Sequence, residues 1–243
     1  MANIFNAGDF EKMSVGDVLV FDKPEIRNVR VDLTWDGSKA GGDLDVCAFL
    51  LGTDGKIHEK ADLVFFNSER RWMTDEPFDS PNFNPLKGRV STFEEDGKNY
   101  KSFKKWQEST LPLSGDDSVI GSWDDMSEDE DIECGETMHI KLDEVDTRKY
   151  HSIIIAVAGA EAIIRQGYTF SDAINPVVTI ADADTFNENQ PEYLAEYELN
   201  SNFPGMGSVC VGKFELGEDH LWHFEAIADA YKGGMAYLAQ KVF

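Results

Sequence analysis

Ten short apolar runs, four to nine residues long and bounded by Gly, Asp, Asn and Pro, recur along the chain, and they constrain its fold more than any other feature. They are VLVF (18–21), VRVDLTW (29–35), VCAFLL (46–51), LVFF (63–66), MHIKL (138–142), SIIIAVA (152–158), PVVTIAD (176–182), YLAEYEL (193–199), SVCVGKFEL (208–216) and WHFEAIA (222–228). They are rich in β-branched and aromatic residues, which suit a pleated, half-buried surface, so they read as strands. The run from Val29 to Trp35 alternates strictly, with Val29, Val31, Leu33 and Trp35 on one face. Many short strands with few helical stretches predict an all-β, two-sheet β-sandwich. Near the C-terminus, Gly233-Gly234 followed by MAYLAQ reads as a turn into a short closing helix.

A length of 243 residues suits one large domain, and the expectation is a single domain over 1–243 with one long insertion at about 69–110. That insertion breaks the strand rhythm. It is rich in Pro, Asn and aromatics, among them Trp72, Phe78, Phe83, Phe93, Tyr100, Phe103 and Trp106. The stretch 69–106 is nearly neutral, whereas the whole chain carries 22 Lys plus Arg against 46 Asp plus Glu, a net charge of −24. Long insertions without strand pattern are usually functional or mobile, and aromatics with little net charge suit an interface or a cover for one end of the sandwich.

The acid excess argues against nucleic acid and anionic membranes, because a phosphate-tracking surface needs clustered cations. With 42% hydrophobic and 12% aromatic residues the chain nevertheless has the composition of a folded protein. No stretch approaches the roughly 18 apolar residues of a membrane span, and the N-terminus lacks the basic start and apolar run of a signal peptide. A cytoplasmic protein is expected. Cys47, Cys134 and Cys210 show no CxxC spacing, and reduced structural thiols fit best.

The segment 115–136, GDDSVIGSWDDMSEDEDIECGE, holds 10 acids and no Lys or Arg. A solvated loop is the default reading of an acid run. Carboxylates crowded at this density repel, however, so either their pKa values rise or a cation moves in. Oxygen-rich side chains with a single nearby thiol favour calcium over zinc or copper. An EF-hand fails on spacing: a window from Asp125 to Glu136 places Glu130 where the sharp turn needs Gly. Ligands must then come from separate loops. The best companions are Asp43 and Asp45 in GGDLD at a strand start, with Asn67 at the end of LVFF.

In order, Trp35, GGDLDVCAFLL (41–51), Gly55-Lys56, ADLVFFN (61–67), GDD (115–117), the acid run and YKGGMAYLA (231–239) resemble the TerD family of bacterial tellurium resistance and general stress response. The resemblance implies a calcium-binding β-sandwich. Carried over, the DLD aspartates fall on Asp43 and Asp45, the Asn after FVFY on Asn67, and the GDN start on Asp116 and Asp117. The later acids of the family's loop correspond to Asp124 and Asp125, with Asp129 and Asp131 as alternatives and Asn175 as a weaker candidate. Two calcium ions are expected. The sequence departs from the family at Phe66-Asn67-Ser68, where a second amide oxygen is lost, and at the insertion.

No GxSxG, P-loop or dinucleotide fingerprint occurs, and no catalytic set or organic cofactor is expected. His220 and His223 stand in a strand-like context that suits surface or packing roles. The functional expectation is a non-enzymatic calcium-binding stress-response module acting through protein partners or self-association. The alternative is a scaffold component of a larger assembly that uses the aromatic insertion as an interface.

Overall fold

A computed structural model describes residues 2–7, 10–36, 44–122, 134–159, 174–187, 190–198, 203 and 205–243. All ten predicted strands lie in its sheets, as β3 (Val18–Val20), β4 (Asn28–Asp36), β5 (Leu44–Leu51), β6 (Leu63–Val64), β11 (Cys134–Lys141), β12 (Ser152–Gly159), β13 (Ile174–Asp182), β14 (Ala195–Glu198), β15 (Ser208–Leu216) and β16 (Trp222–Tyr231). Six shorter strands add to them: β1 (Ile4–Asn6), β2 (Glu11–Lys12), β7 (Arg71–Thr74), β8 (Gly88–Ser91), β9 (Leu111–Pro112) and β10 (Val119–Gly121). At two to four residues each, these are too short for an alternation to register.

Two mixed sheets form the sandwich. One has seven strands in the order β1-β3-β16-β15-β12-β5-β6, the other six in the order β10-β11-β4-β13-β14-β2. Val29, Val31, Leu33 and Trp35 of β4 point inward as their alternation predicts, meeting Val46, Ala48 and Leu50 of β5 and Ile153, Ile155 and Val157 of β12. The seven-stranded sheet is covered on its other face as well. There Cys47, Phe49, Ile154, Ala156 and Cys210 pack beneath α3 (Met235–Tyr237) and the π-helical turn Leu238–Val242. Cys47 and Cys210 are buried free thiols, and burial raises both pKa values, that of Cys210 to about 12. Every residue of β5 and β12 is buried, which explains their near-continuous apolar sequence.

The insertion is ordered, unlike the unpatterned stretch its sequence suggests. It folds as a small sheet in the order β8-β7-β9 with two short helices, α1 (Phe93–Asp96) and α2 (Phe103–Gln107). Trp72, Leu111, Leu113 and Ile120 form a satellite core, joined by Phe78, Phe83 and Val90. A buried guanidinium ties the insertion together. Arg71 is 2% exposed and donates to Phe66 O at 2.6 Å, Gln107 O at 2.9 Å and Thr110 Oγ1 at 3.1 Å, as well as to Thr110 O. Its charge is met by carbonyl and hydroxyl oxygens of chain segments distant in sequence, which periodicity cannot reveal. Burial lowers its pKa to about 10.

Two stability predictions follow from buried polar groups. Arg71→Met would strand several carbonyl oxygens and lower stability by about 3 kcal/mol, or roughly 6–12 °C in melting temperature, and Arg71→Lys would not restore it because an ammonium lacks the fork. The second concerns His139, which is 6% exposed beside its cross-strand neighbour Arg30. Its Nδ1 has no hydrogen-bond partner among the described residues. Burial, aided by the Arg30 charge, lowers its pKa from 6.5 to about 3. The folded state therefore binds fewer protons than the unfolded chain across this window, so the stabilisation is complete above pH 6.5 and is lost as pH falls toward 3. In urea titrations His139→Leu should show an acid-side loss roughly 2–3 kcal/mol smaller than the parent by about pH 4.

Candidate metal centre

At one end of the sandwich, the strand ends that border the acid-rich and glycine-rich segments lie side by side. Trp35 pairs with Cys134, Asp36 with Ile174, and Leu44 with Gly159. The strand residues that border 37–43, 123–133 and 160–173 therefore all lie at this end. Asp43, Asp124, Asp125, Asp129 and Asp131 belong to the first two and lie outside the described residues. Asn175 is described as backbone in β13.

Asp45 stands one residue into β5 and is 3% exposed. A second buried acid, Glu136, accompanies it from the facing sheet at 5% exposure. Strand β6 pairs only with Ala48 and Phe49, so β5 runs past it toward this end. The Val46 N–H there donates to Glu136 Oε2 at 2.5 Å, which joins the two sheets at the mouth of the sandwich. Burial raises the Cys47 thiol well above its ordinary range, with Cys210, Asp45 and Glu136 adding to the effect in that order. Asp45 shares the Cys47 face of β5 by alternation, while Glu136 reaches the β5 backbone from the facing sheet.

Glu136 was not among the sequence candidates. A signal for it existed: Met138 and Ile140 face the core, and the same alternation carried back two residues puts a carboxylate in the inward series. An acid in a core-facing register at a strand start is unusual enough to mark a site.

The other candidates divide. Asn67 lies in the turn after β6, and its Oδ1 accepts from Gln107 Nε2 at 2.9 Å, tying that turn to α2. Asp116 and Asp117 are not brought to Asp45. They occupy the hairpin between Leu113 and Ile120, where Gly115 N donates to Ala61 O at 2.9 Å, level with the far end of β5. Six strand residues separate that level from Asp45, about 20 Å at about 3.3 Å per residue. Their oxygens are also committed. Asp116 Oδ1 accepts from Ser114 Oγ at 2.8 Å and Ser118 Oγ at 2.7 Å, and its Oδ2 from Asp146 N at 2.9 Å. Asp117 takes a left-handed backbone, φ 68°, and pairs with Arg70, whose Nε lies 3.0 Å away. These two acids build a turn, a use to which Asp is well suited. A single site joining GDD to DLD is thus corrected by the strand register.

The same far end holds the most buried acid among the described residues. Asp62 is fully buried and accepts from Tyr150 Oη at 2.5 Å, His58 N at 2.8 Å, Glu59 N at 2.9 Å and Lys149 Nζ at 3.1 Å. Burial alone would raise its pKa, but these donors outweigh burial and lower it. His223 bonds Asp219 on the surface at 3.0 Å, and Asp182 caps the turn after β13 by accepting from Asp184 N.

At the Asp45 end the described carboxylates, Asp45 and Glu136, offer oxygens, which fit a hard cation such as calcium better than zinc or copper. Among the described residues no three His, Cys, Asp or Glu side chains group closely enough to hold a metal, so any complete ligand set must draw on the flanking segments. No helix among the described residues is long and apolar enough to cross a membrane.

Comparison with known proteins agrees with this architecture. The TerD domain model matches residues 12–74 and 112–242. Tellurium resistance protein TerD of Serratia marcescens is 25% identical over 216 residues, covering 88% of this chain and 85% of that protein. General stress protein 16U of Bacillus subtilis (strain 168) is 24% identical over 226 residues, covering 89% and 87%. The crystal structure of a homologue of telluride resistance protein (TerD) from Streptomyces coelicolor A3(2) superposes with a TM-score of 0.50 at 16% identity, covering 89% of this chain and 97% of that one. With a two-sheet sandwich in place and the family model matched along both its halves, this chain belongs to the TerD domain family.

Proposed function

We propose that the protein is a non-enzymatic, calcium-binding stress-response module that acts through protein contacts. The observation that carries this reading is the convergence of two buried carboxylates, Asp45 and Glu136, with the strand ends that border the acid-rich segments. Carboxylates gathered at one end repel until a cation or protons intervene, and carboxylate oxygens of flexible geometry suit calcium. Asp45 and Glu136 would supply fixed oxygens, and Asp43, Asp124 and Asp125 would complete the shell. Asp116 and Asp117 serve the far hairpin, and Asn67 the contact with α2. Bound calcium would neutralise part of the −24 charge and order this end of the sandwich for a partner. The names of the Serratia and Bacillus relatives support a role in tellurium resistance or general stress. Any such role would be indirect, because an acidic surface repels an oxyanion and the buried thiols Cys47 and Cys210 have raised pKa values.

Calorimetric titration of calcium into chelator-treated protein tests this directly. Calcium at a concentration about 100 times Kd should stabilise the fold by about 2.7 kcal/mol, or roughly 5–10 °C, and magnesium should do much less. Asp45→Asn and Glu136→Gln should each weaken calcium binding at least tenfold. Asp116→Asn should lower the baseline melting temperature and leave calcium affinity unchanged. Identical melting in calcium and in chelator would overturn the reading.

A further inference from the structure

The family model passes over residues 75–111, and within that gap lies a surface unlike the rest of the molecule. From Gly97 to Gln107 the chain reads GKNYKSFKKWQ, with four lysines and no acid, in a protein of net charge −24. Lys98, Lys101, Lys104 and Lys105 are all exposed. Lys104 and Lys105 share Glu108, whereas Lys98 and Lys101 make no ion pair among the described residues. The other acids nearby are Glu94 and Glu95 on α1, and Asp96, which is bound to Arg89 and Ser91.

Among these lysines stands an aromatic ledge. Phe93 and Phe103 are 39% and 42% exposed, with ring centroids 5.2 Å apart. Each leans on Trp106, at 5.6 and 5.4 Å, and Trp106 is fully buried. The Trp106 Nε1–H donates to Ser91 Oγ at 2.9 Å, Ser91 donates to Asp96 at 2.6 Å, and Arg89 holds Asp96 at 2.8 Å. Phe93 also lies against Gly97 so closely that a Cβ there would meet its ring at 2.4 Å. The two rings are thus fixed before any partner arrives, which reduces the entropy lost on binding. Rigid, half-exposed aromatics beside cations are the anchors that carry binding energy at interfaces.

We propose that this ledge docks an acidic segment of a partner protein that carries aromatic or aliphatic anchors. Its carboxylates would meet the lysines while its apolar side chains cover Phe93 and Phe103. Charge selects this occupant. A nucleic acid or an anionic membrane would bring an extended array of phosphates against the field of a −24 protein, whereas a short acidic segment brings few charges. A second copy docked by the same face would set lysines against lysines. The inference rests on the reading of a module that acts through protein contacts and names the surface it would use.

The test is fluorescence anisotropy of the full chain with a labelled peptide, Asp-Glu-Phe-Asp-Glu-Leu-Phe-Glu, at several salt concentrations. Binding should weaken as salt rises, and at least tenfold when Phe and Leu of the peptide are replaced by Ser. Phe103→Ser should lose at least tenfold. The exposed pair Lys101→Glu, Lys104→Glu should lose as much with an unchanged melting temperature, which keeps the test valid should Phe103→Ser unfold. No binding up to about 1 mM, equal binding by the variants, or tighter binding of an oligothymidylate or a phosphatidylserine vesicle would overturn the proposal. Calcium titration of the same variants should be unchanged, so failure at the ledge is distinguishable from failure of the calcium reading.

Discussion

Burial of β5 and β12 on both faces is the constraint on which the rest of the molecule depends. The core between the sheets covers one side, and the C-terminal turn with Leu238 covers the other. Removing a charge from water costs far more than any one apolar contact returns, so the middle of these strands can hold none. Polar groups appear only at their ends, Asp45 at one and Ser152 at the other. A chain with 46 acids therefore places its charge away from the middle of β5 and β12, in turns, beyond the strand ends and on flanking strands, as with Glu215 of β15 and Glu225 of β16.

The two ends of the sandwich use carboxylates in opposite ways. At the far end, Asp62, Asp116 and Asp117 have their oxygens engaged by Tyr150, Ser114, Ser118, Asp146 N and Arg70, and their work is to close turns and pin segments. At the near end, Glu136 crosses from one sheet to the backbone of the other, beside Asp45 and the borders of the acid-rich segments. The difference is one of surroundings, since at the far end donors surround each acid and make it a structural strut, whereas at the near end two buried acids stand beside the borders of the acid-rich segments. The insertion adds a third environment, in which a buried Arg71 collects carbonyl oxygens and Trp106 supports two exposed rings.

Legibility followed the range of the interaction. The ten long strands could be read because alternation is a local property, and the inward set of β4 was named residue by residue. Asp45 was placed at its strand start for the same reason. The short strands β7, β8 and β9 were missed because Arg71, Trp72 and Leu111 form their core from positions about 40 residues apart. Asp116 and Asp117 carried the right chemistry and motif, but whether GDD reaches DLD depends on strand register, which the order of motifs does not specify. Glu136 closes the acid run, but that it stands in a core-facing register of β11 depends on where the strand begins, which the acid count does not show.

By itself the sequence determined that this is an acidic all-β sandwich of TerD type, because side-chain period, turn residues and motif order are written along the chain. Only the tertiary structure decided which acids meet. Antiparallel pairing carries residues 45 and 136 to one mouth and residues 116 and 117 to the opposite end, and only there does each carboxylate find the donors or the like charges that set its role.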